Sequence, residues 1–280
     1  VVGEGGVMKQ AVLSIAGSDP SGGAGVQADL KTFTTIGVYG AAAITALTVQ
    51  NTVGVFESVF LDASFVAHQI RRVIEDIPVA WVKTGMLGST AIIEAVAESV
   101  PIGMKVVCDP VMYSKSGYSL LQSDAIEAMK NLWIARATIV TPNYHELAFL
   151  LGGDFVEGDP EGNGKRFLDA FPEVKAILVK GGHREASGGQ LEDILVWRED
   201  GQEYTRVFSH PYHDTHNTHG TGCTLASAIA AYLCRGETMV DAVEKAIEYV
   251  STLIAMATKE TYGRGHGALP HYRFCSKEDV

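Results

Sequence analysis

The sequence lacks the features that mark several other classes of protein. No apolar run approaches the roughly 18–20 residues that a membrane-spanning helix needs. The N-terminal segment has no basic stretch followed by an apolar one, as a secretory signal would have. Lysine and arginine total 22 against 33 acidic residues, which gives a formal net charge of −11. Because this balance disfavours nonspecific binding to polyanions, we expect neither a nucleic-acid nor a membrane partner.

Cysteine is also scarce, and its spacing is uninformative for metal or disulfide chemistry. Cys108, Cys223, Cys234 and Cys275 are far apart and form no C-x-x-C pair. In a chain of 280 residues this usage predicts reduced thiols and a cytoplasmic location. Residues 1–7 precede the first methionine and are expected to be an added or disordered leading segment, with a single domain over residues 8–280.

Short apolar runs alternate along the chain with amphipathic stretches of helical length. This alternation predicts βα units, a largely parallel sheet and helices on both of its faces. The predicted strands cover residues 11–16, 43–49, 79–83, 105–109, 138–141 and 176–180, and predicted helices include 65–74, 91–99, 123–132, 221–233 and 239–256. Residues 191–197 and 203–208 flank an Asp-Gly dipeptide, which predicts an appended antiparallel hairpin. Residues 154–164 are predicted to be a surface loop.

Polar clusters follow most of the predicted strands. In open α/β sheets, ligands bind outside the carboxyl ends of the strands, so we expect these clusters to meet at one site. They are residues 17–25, 50–51, 83–88, 109–117, 141–146 and 180–183.

The first of these clusters contains a match to G-x-G-x-x-A at residues 23–28. A dinucleotide-binding site would also need an acidic residue on the next strand, and residues 44–49 contain none. The same glycines are equally typical of a turn that needs a positive φ and close backbone approach. The bare motif therefore only weakly indicates dinucleotide binding.

Residues 217–223, Asn-Thr-His-Gly-Thr-Gly-Cys, run directly into a predicted apolar helix. Backbone N–H groups at such a helix start form an anion site suited to a transferring phosphoryl group. Cys223 would lie in the first turn, where we expect the same field to lower the thiol pKa. The alternative is an ordinary glycine-bracketed helix start with an inert, buried cysteine.

Seven segments occur in a characteristic order between residues 15 and 228. They are IAGSDPSGGAGVQADLKTF, TALTVQNT, KTGMLG, DPVM, TPNYHE, VKGGH and NTHGTGCTLASA. Together they resemble the hydroxymethylpyrimidine/phosphomethylpyrimidine kinases of thiamine biosynthesis, in the ribokinase-like superfamily. The resemblance implies a three-layer αβα sandwich with a mostly parallel central sheet and an antiparallel hairpin. It also implies an ATP- and Mg²⁺-dependent, homodimeric enzyme acting on a small molecule.

The resemblance implies specific roles for residues at the predicted strand ends. Cys223 would be the catalytic base, and the backbone of Gly220, Thr221 and Gly222 would stabilise the transferring phosphoryl group. The residues expected to bind the pyrimidine are Gln50, Asp29, Gly17, Ala24, Met86 and Val111. Lys180, Asn143 and Thr221 would bind the nucleotide, and Asp109 and Glu146 the metal. Without the resemblance, plain core packing would be the preferred interpretation of Met86 and Val111.

The sequence departs from the family at one position. Relatives often have a lysine in the last long helix facing the nucleotide, where this chain has Ile247. Lys245 is two residues away, and two positions turn a side chain by about 200° around a helix. We therefore expect Lys245 to be a poor substitute.

Three alternatives remain open from the sequence. His210, His213, His216 and His219 recur at every third residue, a spacing that a metal site could use if the segment were helical, although Pro211 disfavours a helix. Cys223 and His219 could instead serve a thiol hydrolase, if the fold oriented the imidazole toward the thiol. Within the kinase interpretation, the second candidate is a pyridoxine/pyridoxal kinase of the same fold. The pair Gln50-Asn51 favours the pyrimidine.

Overall fold

A nine-stranded sheet runs through the centre of the molecule. The structure is a computed structural model, and it describes residues 10–114, 117–182, 189–259 and 262–274. The strands are β1 Ala11–Ser18, β2 Tyr39–Gln50, β3 Val55–Phe60, β4 Val79–Thr84, β5 Lys105–Cys108, β6 Ile139–Val140, β7 Ala176–Val179, β8 Gln190–Glu199 and β9 Gln202–Pro211. Their spatial order is β3-β2-β1-β4-β5-β6-β7-β8-β9. The six strands from β2 to β7 in that order pair in parallel, whereas β3, β8 and β9 pair antiparallel.

Helices cover both faces of the sheet. They are α1 Gly25–Ile36, α2 Ala63–Asp76, α3 Thr90–Ser99, α4 Ile126–Ala128, α5 Tyr144–Leu151, α6 Pro160–Ala170, α7 Thr221–Cys234 and α8 Met239–Ala257. Neighbouring residues of the fully buried strand β1 serve different layers, because successive side chains of a strand point to opposite faces. Val12 packs in the core formed with α1, α7 and α8, and Leu13 packs in the core formed with α2 to α6. This arrangement is the predicted three-layer αβα sandwich.

Polar residues placed just before the helices explain where several of them begin. The Asp62 carboxylate accepts hydrogen bonds from the first-turn amides of α2, and Ser89 and Thr238 cap α3 and α8 in the same way.

Among the described residues, no helix combines the length and the hydropathy required to cross a membrane.

The predicted hairpin is confirmed in detail. Strands β8 and β9 pair from Gln190–Pro211 to Glu199–Gln202, and the turn residues Asp200 and Gly201 have φ values of 50° and 75°. A tight hairpin turn of this kind needs a positive φ at both central positions, which Asp-Gly tolerates. The six predicted parallel strands are present as well, with ends that shift by a few residues.

Three predictions about secondary structure were wrong or incomplete. Residues 154–164 are not one loop, because α6 begins at Pro160, where the Asp159 side chain accepts a hydrogen bond from Gly162 N. The predicted helix over residues 123–132 is a succession of short helical turns, of which α4 is the α-helical part. Strand β3 was missed; its sequence, VFESVF, does not alternate between apolar and polar residues, and its pairing with β2 contains a bulge opposite Val49 and Gln50. Residues 1–9 and Cys275 lie outside the described residues.

Candidate active site

Two glycine-rich loops meet at the carboxyl edge of the sheet. One follows β1 and leads into α1, and the other leads into α7. Gly220, the N-cap of α7, has a φ of 81°, and a Cβ at this position would lie 1.8 Å from the Gly23 carbonyl oxygen. Gly25 has a φ of 57°, and a Cβ there would lie 2.2 Å from the Gly17 oxygen. Both glycines are therefore required by positive φ and by backbone contact.

Cys223 lies in the first turn of α7, as predicted, and is half-buried. The expectation of a lowered thiol pKa was wrong, because burial raises the pKa of Cys223 to about 11 and the positive charge of Lys83 only partly offsets this. The thiol is therefore protonated at neutral pH.

A completely buried ion pair lies beneath this turn. Lys83 Nζ is 2.8 Å from Asp29 Oδ1 and 2.9 Å from Oδ2, and neither side chain is exposed. Ser14 Oγ and Ser227 Oγ also donate to Asp29, at 2.5 and 2.7 Å. Ser227 is one helical turn beyond Cys223, so the pair faces the same side of α7 as the thiol. Burial alone would lower the pKa of Lys83, but Asp29, Cys223 and Asp109 raise it above its ordinary value.

This pair changes the interpretation of Asp29. The resemblance implies contact with the ring or hydroxymethyl group of the substrate, whereas the Asp29 carboxylate is fully buried and already bonded to three donors. Lys83 begins the predicted polar cluster 83–88, but no role of its own was predicted for it from the sequence. The available signal was a lysine placed inside the apolar run of β4, where a charge needs a buried partner.

A second cation–carboxylate cluster lies next to the start of α7. Lys180 Nζ is 2.9 Å from Asp109 Oδ1 and 3.7 Å from Glu146 Oε2. A Cβ on Gly222 would lie 3.5 Å from Lys180 Nζ and 3.6 Å from Asp109 Oδ2. The predicted nucleotide and metal residues therefore meet beside the predicted phosphoryl-binding backbone.

The electrostatics of this cluster follow from its burial. Burial raises the pKa of Glu146 to about 7, which Lys180 counteracts and Asp109 reinforces. Asn143 and Glu146 also form a capping box at the start of α5: Asn143 Oδ1 accepts from Glu146 N at 2.8 Å, and Glu146 Oε2 accepts from Asn143 N at 2.7 Å. The N-x-x-E pattern thus has a structural role in addition to any role toward a ligand.

Asp109 and Glu146 supply the hard oxygen donors that Mg²⁺ prefers. Their convergence on the Lys180 ammonium shows that the position suits a cation. Within the described ranges, no group of three or more metal-ligating side chains occurs. The residues therefore fit a magnesium ion held through water and phosphate rather than an all-protein cage.

Of the residues predicted to bind the pyrimidine, Gly17, Ala24 and Gln50 lie at the ends of β1 and β2, whereas Met86 follows β4 and Val111 follows β5. A Cβ on Gly17 would lie 2.9 Å from the Met86 sulfur, so these two are in contact, and Met86 is held by a 2.6 Å hydrogen bond from Thr45 Oγ1 to its carbonyl oxygen. Ala24 is half-buried next to Gly25, and Val111 is half-buried two residues beyond Asp109. Gln50 is half-buried at the end of β2.

A cleft of about 480 Å³ lies between β9 and α8. Ile247 lines it, together with residues 206–211 and with Glu244, Glu248, Ser251 and Thr252. Lys245 does not line the cleft and forms an ion pair with Glu237. This placement supports the prediction that Lys245 is a poor substitute for a lysine at position 247, which stays a prediction.

The histidines do not form the alternative sites considered from the sequence. His210 lies on β9, 3.2 Å from Asp193 Oδ2, and His213 to His219 follow in an irregular segment. His219 Nε2 is 2.8 Å from Asp19 Oδ2, so a carboxylate rather than the Cys223 thiol orients the imidazole. His183, at the end of the VKGGH segment, lies outside the described residues.

Comparisons with known protein sequences indicate one family. A family model described as phosphomethylpyrimidine kinase matches residues 19–270. The chain belongs to the phosphomethylpyrimidine kinase family. The hydroxymethylpyrimidine/phosphomethylpyrimidine kinase of Salmonella typhimurium is 42% identical over 264 residues, which cover 93% of this chain and 96% of the relative. The predicted kinase, with its role in thiamine biosynthesis, is confirmed by this membership.

Two further proteins are similar to this chain. A thiamine biosynthesis bifunctional protein of Geobacter sulfurreducens is 42% identical over 96% of this chain, which spans only 53% of that longer protein. The structure of pyridoxal kinase from Staphylococcus aureus in complex with AMP-PCP has a TM-score of 0.79 and 30% identity, and covers 98% of this chain and 96% of that one. The predicted ribokinase-like fold is confirmed.

Proposed function

We propose that this kinase transfers the γ-phosphoryl group of ATP to the hydroxymethyl oxygen of 4-amino-5-hydroxymethyl-2-methylpyrimidine, and a second phosphoryl group to the resulting monophosphate. We assign the activity to residues 8–280 as a single domain. The observation that carries this proposal is the meeting of three parts at the start of α7. These are the Cys223 thiol, the Gly222 backbone and the Lys180–Asp109 pair.

The start of α7 provides the electrostatic part of the reaction. Helix N-termini have amides without intrahelical partners, so the N–H groups from Gly220 to Cys223 can stabilise charge on the transferring phosphoryl group. Phosphoryl transfer depends mainly on such positioning and charge stabilisation. Gly222 leaves open the space next to Lys180 that a phosphate would occupy.

Cys223 is the proposed proton acceptor for the substrate hydroxyl. Because its thiol is protonated in the resting protein, base catalysis requires the proton to leave first, and the adjacent positive charge of Lys83 favours the thiolate. Replacing Cys223 with alanine should abolish transfer and preserve pyrimidine binding, which calorimetry can measure on the same preparation. A turnover close to that of the wild type would contradict this role.

Gln50 is the proposed selector of the pyrimidine. Its carboxamide offers an acceptor and two donors, which match an exocyclic amine next to a ring nitrogen. We place Gly17, Ala24, Met86 and Val111 around the ring. Asp29 acts on the substrate only through Lys83, because its carboxylate is buried.

The nucleoside part of ATP is proposed to bind in the β9–α8 cleft, with its phosphates directed toward Lys180, Asn143 and Thr221. A chain of contacts links the two regions: His210 meets Asp193, which accepts a 2.7 Å hydrogen bond from Gly181 N beside Lys180. Asp109 and Glu146 would hold Mg²⁺, which neutralises phosphate charge when bound. Omitting Mg²⁺ should abolish turnover.

Pyridoxal is the second candidate substrate. The observation that favours it is the structural similarity to a pyridoxal kinase, with a TM-score of 0.79 over 98% of this chain. The Gln50-Asn51 pair and the higher identity to the pyrimidine kinases favour the pyrimidine.

We also propose that the protein is a cytoplasmic homodimer. Three described cysteines are free thiols, which suits a reducing compartment. Strand β3 is at an edge of the sheet, and Leu47 pairs with Val59 on a face where both are about half exposed, at 49% and 56%. Together with Phe56, which is 62% exposed, they give a second copy an apolar surface. Replacing Val59 with lysine should yield monomers in sedimentation, whereas an unchanged mass would contradict this interface.

A further inference from the structure

One nitrogen atom joins three of the segments that form the site. His219 Nε2 lies 2.8 Å from Asp19 Oδ2, in the loop after β1, and 3.1 Å from Gln50 Nε2, at the end of β2. His219 directly precedes Gly220, the N-cap of α7. A Cβ on Gly23 would lie 2.4 Å from His219 Cδ2, so the imidazole is packed tightly in this position.

The Asp19 carboxylate fixes the state of the imidazole. It is 3% exposed and accepts hydrogen bonds from the Ser21 amide and hydroxyl and from the Gly23 and Ala24 amides. Burial raises the pKa of Asp19, but the bonds from His219 and Ser21 outweigh it and hold the pKa below its ordinary value. An ionised carboxylate only accepts hydrogen bonds, so His219 Nε2 must carry a hydrogen.

That hydrogen determines how the Gln50 amide can face His219. If His219 Nε2 carries a hydrogen and the NH2 group of Gln50 faces it, two hydrogen-bond donors point at each other. On the opposite side, Gln50 Oε1 is 3.1 Å from Thr48 Oγ1, whose single hydrogen is donated to the Ser18 carbonyl oxygen at 2.9 Å. Turning the carboxamide by 180° resolves both conflicts, because its oxygen then shares, in a three-centre hydrogen bond, the Nε2–H that His219 donates to Asp19, and its NH2 donates to Thr48.

We propose that His219, with its hydrogen on Nε2 and held by Asp19, fixes the Gln50 carboxamide with its oxygen toward the imidazole, and that His219 and Asp19 are thereby positioning residues for substrate selection. This inference rests on the proposed function, in which Gln50 binds the pyrimidine. The Gln50 oxygen uses one lone pair toward His219, and the NH2 group uses one N–H toward Thr48. One oxygen lone pair and one N–H then remain next to each other on its outer edge.

The free outer edge of the Gln50 amide is complementary to an aminopyrimidine in its hydrogen-bonding groups. The exocyclic amine donates to the amide oxygen, and the amide N–H donates to the adjacent ring nitrogen. A reversed carboxamide would exchange donor and acceptor and lose both bonds. A ring without an amine next to a ring nitrogen uses at most one of them, so the fixed orientation also disfavours such substrates.

The tautomer of His219 tests the first step directly. Long-range ¹⁵N–¹H correlation spectra of the histidine-labelled, ligand-free protein should show a hydrogen on Nε2 of His219, with assignment from the His219→Phe variant. A neutral imidazole with its hydrogen only on Nδ1 would overturn the proposal. This measurement needs no activity, and so it stands apart from the proposed function.

A double-mutant cycle tests the second step. Gln50→Leu removes the hydrogen bonds to the ring, and His219→Phe removes the group that orients the Gln50 carboxamide. Each should therefore raise the KM for hydroxymethylpyrimidine by about tenfold or more, while the KM for ATP changes little. Because His219 acts through Gln50, the double variant should be no worse than Gln50→Leu alone. Multiplying effects, or an unchanged KM in His219→Phe, would overturn the positioning role. An unchanged KM in Gln50→Leu would instead contradict the proposed function.

Discussion

The buried Lys83–Asp29 pair makes a quantitative prediction about stability. Lys83→Met removes two contacts of 2.8 and 2.9 Å and leaves the Asp29 charge without its counter-ion in a site with no solvent exposure. Breaking such a pair from one side costs about 3–5 kcal/mol. Because the Ser14 and Ser227 hydroxyls still donate to Asp29, we expect the lower end of this range, about 3 kcal/mol.

Equilibrium unfolding in urea measures this loss. The double variant Lys83→Met/Asp29→Asn should recover most of it, because asparagine removes the unpaired charge and still bonds the serine hydroxyls. The matched control is Lys165→Met, which removes a lysine from a half-exposed pair with Glu161 and should change the free energy of unfolding far less. A loss below about 1 kcal/mol for Lys83→Met, or a double variant as unstable as the single one, would refute the reasoning.

Three other predictions follow from the structure. The thiol pKa of about 11 for Cys223 means that kcat should rise with pH from neutral to alkaline conditions. The variant Cys223→Asp, whose carboxylate is already ionised at neutral pH, should lose that dependence. A flat pH profile of kcat in the wild type would argue against the thiolate as base. Gly222→Ala should fold normally, since its Cβ would contact Lys180 Nζ at an ordinary 3.5 Å, but should raise the KM for ATP by filling the phosphate space; an unchanged KM in steady-state assays would place the phosphate elsewhere. His271 is buried against α7, with its Nε2 3.1 Å from Thr224 Oγ1, and burial lowers its pKa to about 4. Stability should therefore be complete above about pH 6.5 and fall by about 3 kcal/mol as the pH drops from there through 4, because the unfolded chain binds the proton first. His271→Gln should flatten this slope in pH-dependent unfolding, and an unaltered slope would contradict the assignment.

The parallel sheet was predictable because each of its strands has a recognisable local sequence pattern. Buried parallel strands such as β1 are short apolar runs that end at glycine or a polar cluster, and the Asp-Gly turn identifies the β8–β9 hairpin from two residues. Strand β3 lacks such a pattern, since most of its side chains are at least partly exposed at the sheet edge. The start of α6 was hidden within a segment rich in glycine and acidic residues.

The positions of the site residues were predictable from the sequence, but their protonation states and side-chain partners were less so. The sequence placed Cys223 at the start of a helix, but its thiol pKa depends on burial, which the local motif does not contain. Asp29 was assigned to the substrate from the resemblance, and its actual partner Lys83 could not be foreseen, because β4 and α1 bring the two together only through a tertiary contact. The pairing of Asp19 with His219 joins residues 200 positions apart and had no local signal.

The most direct test of the central claim is phosphoryl transfer from ATP, measured side by side for three acceptors. Hydroxymethylpyrimidine, its monophosphate and pyridoxal are each incubated with the wild-type protein and with Cys223→Ala, and phosphorylated product is quantified. We expect the wild type to phosphorylate both pyrimidines with a higher kcat/KM than pyridoxal, and Cys223→Ala to phosphorylate none of them. Preference for pyridoxal, or full activity in Cys223→Ala, would contradict the account.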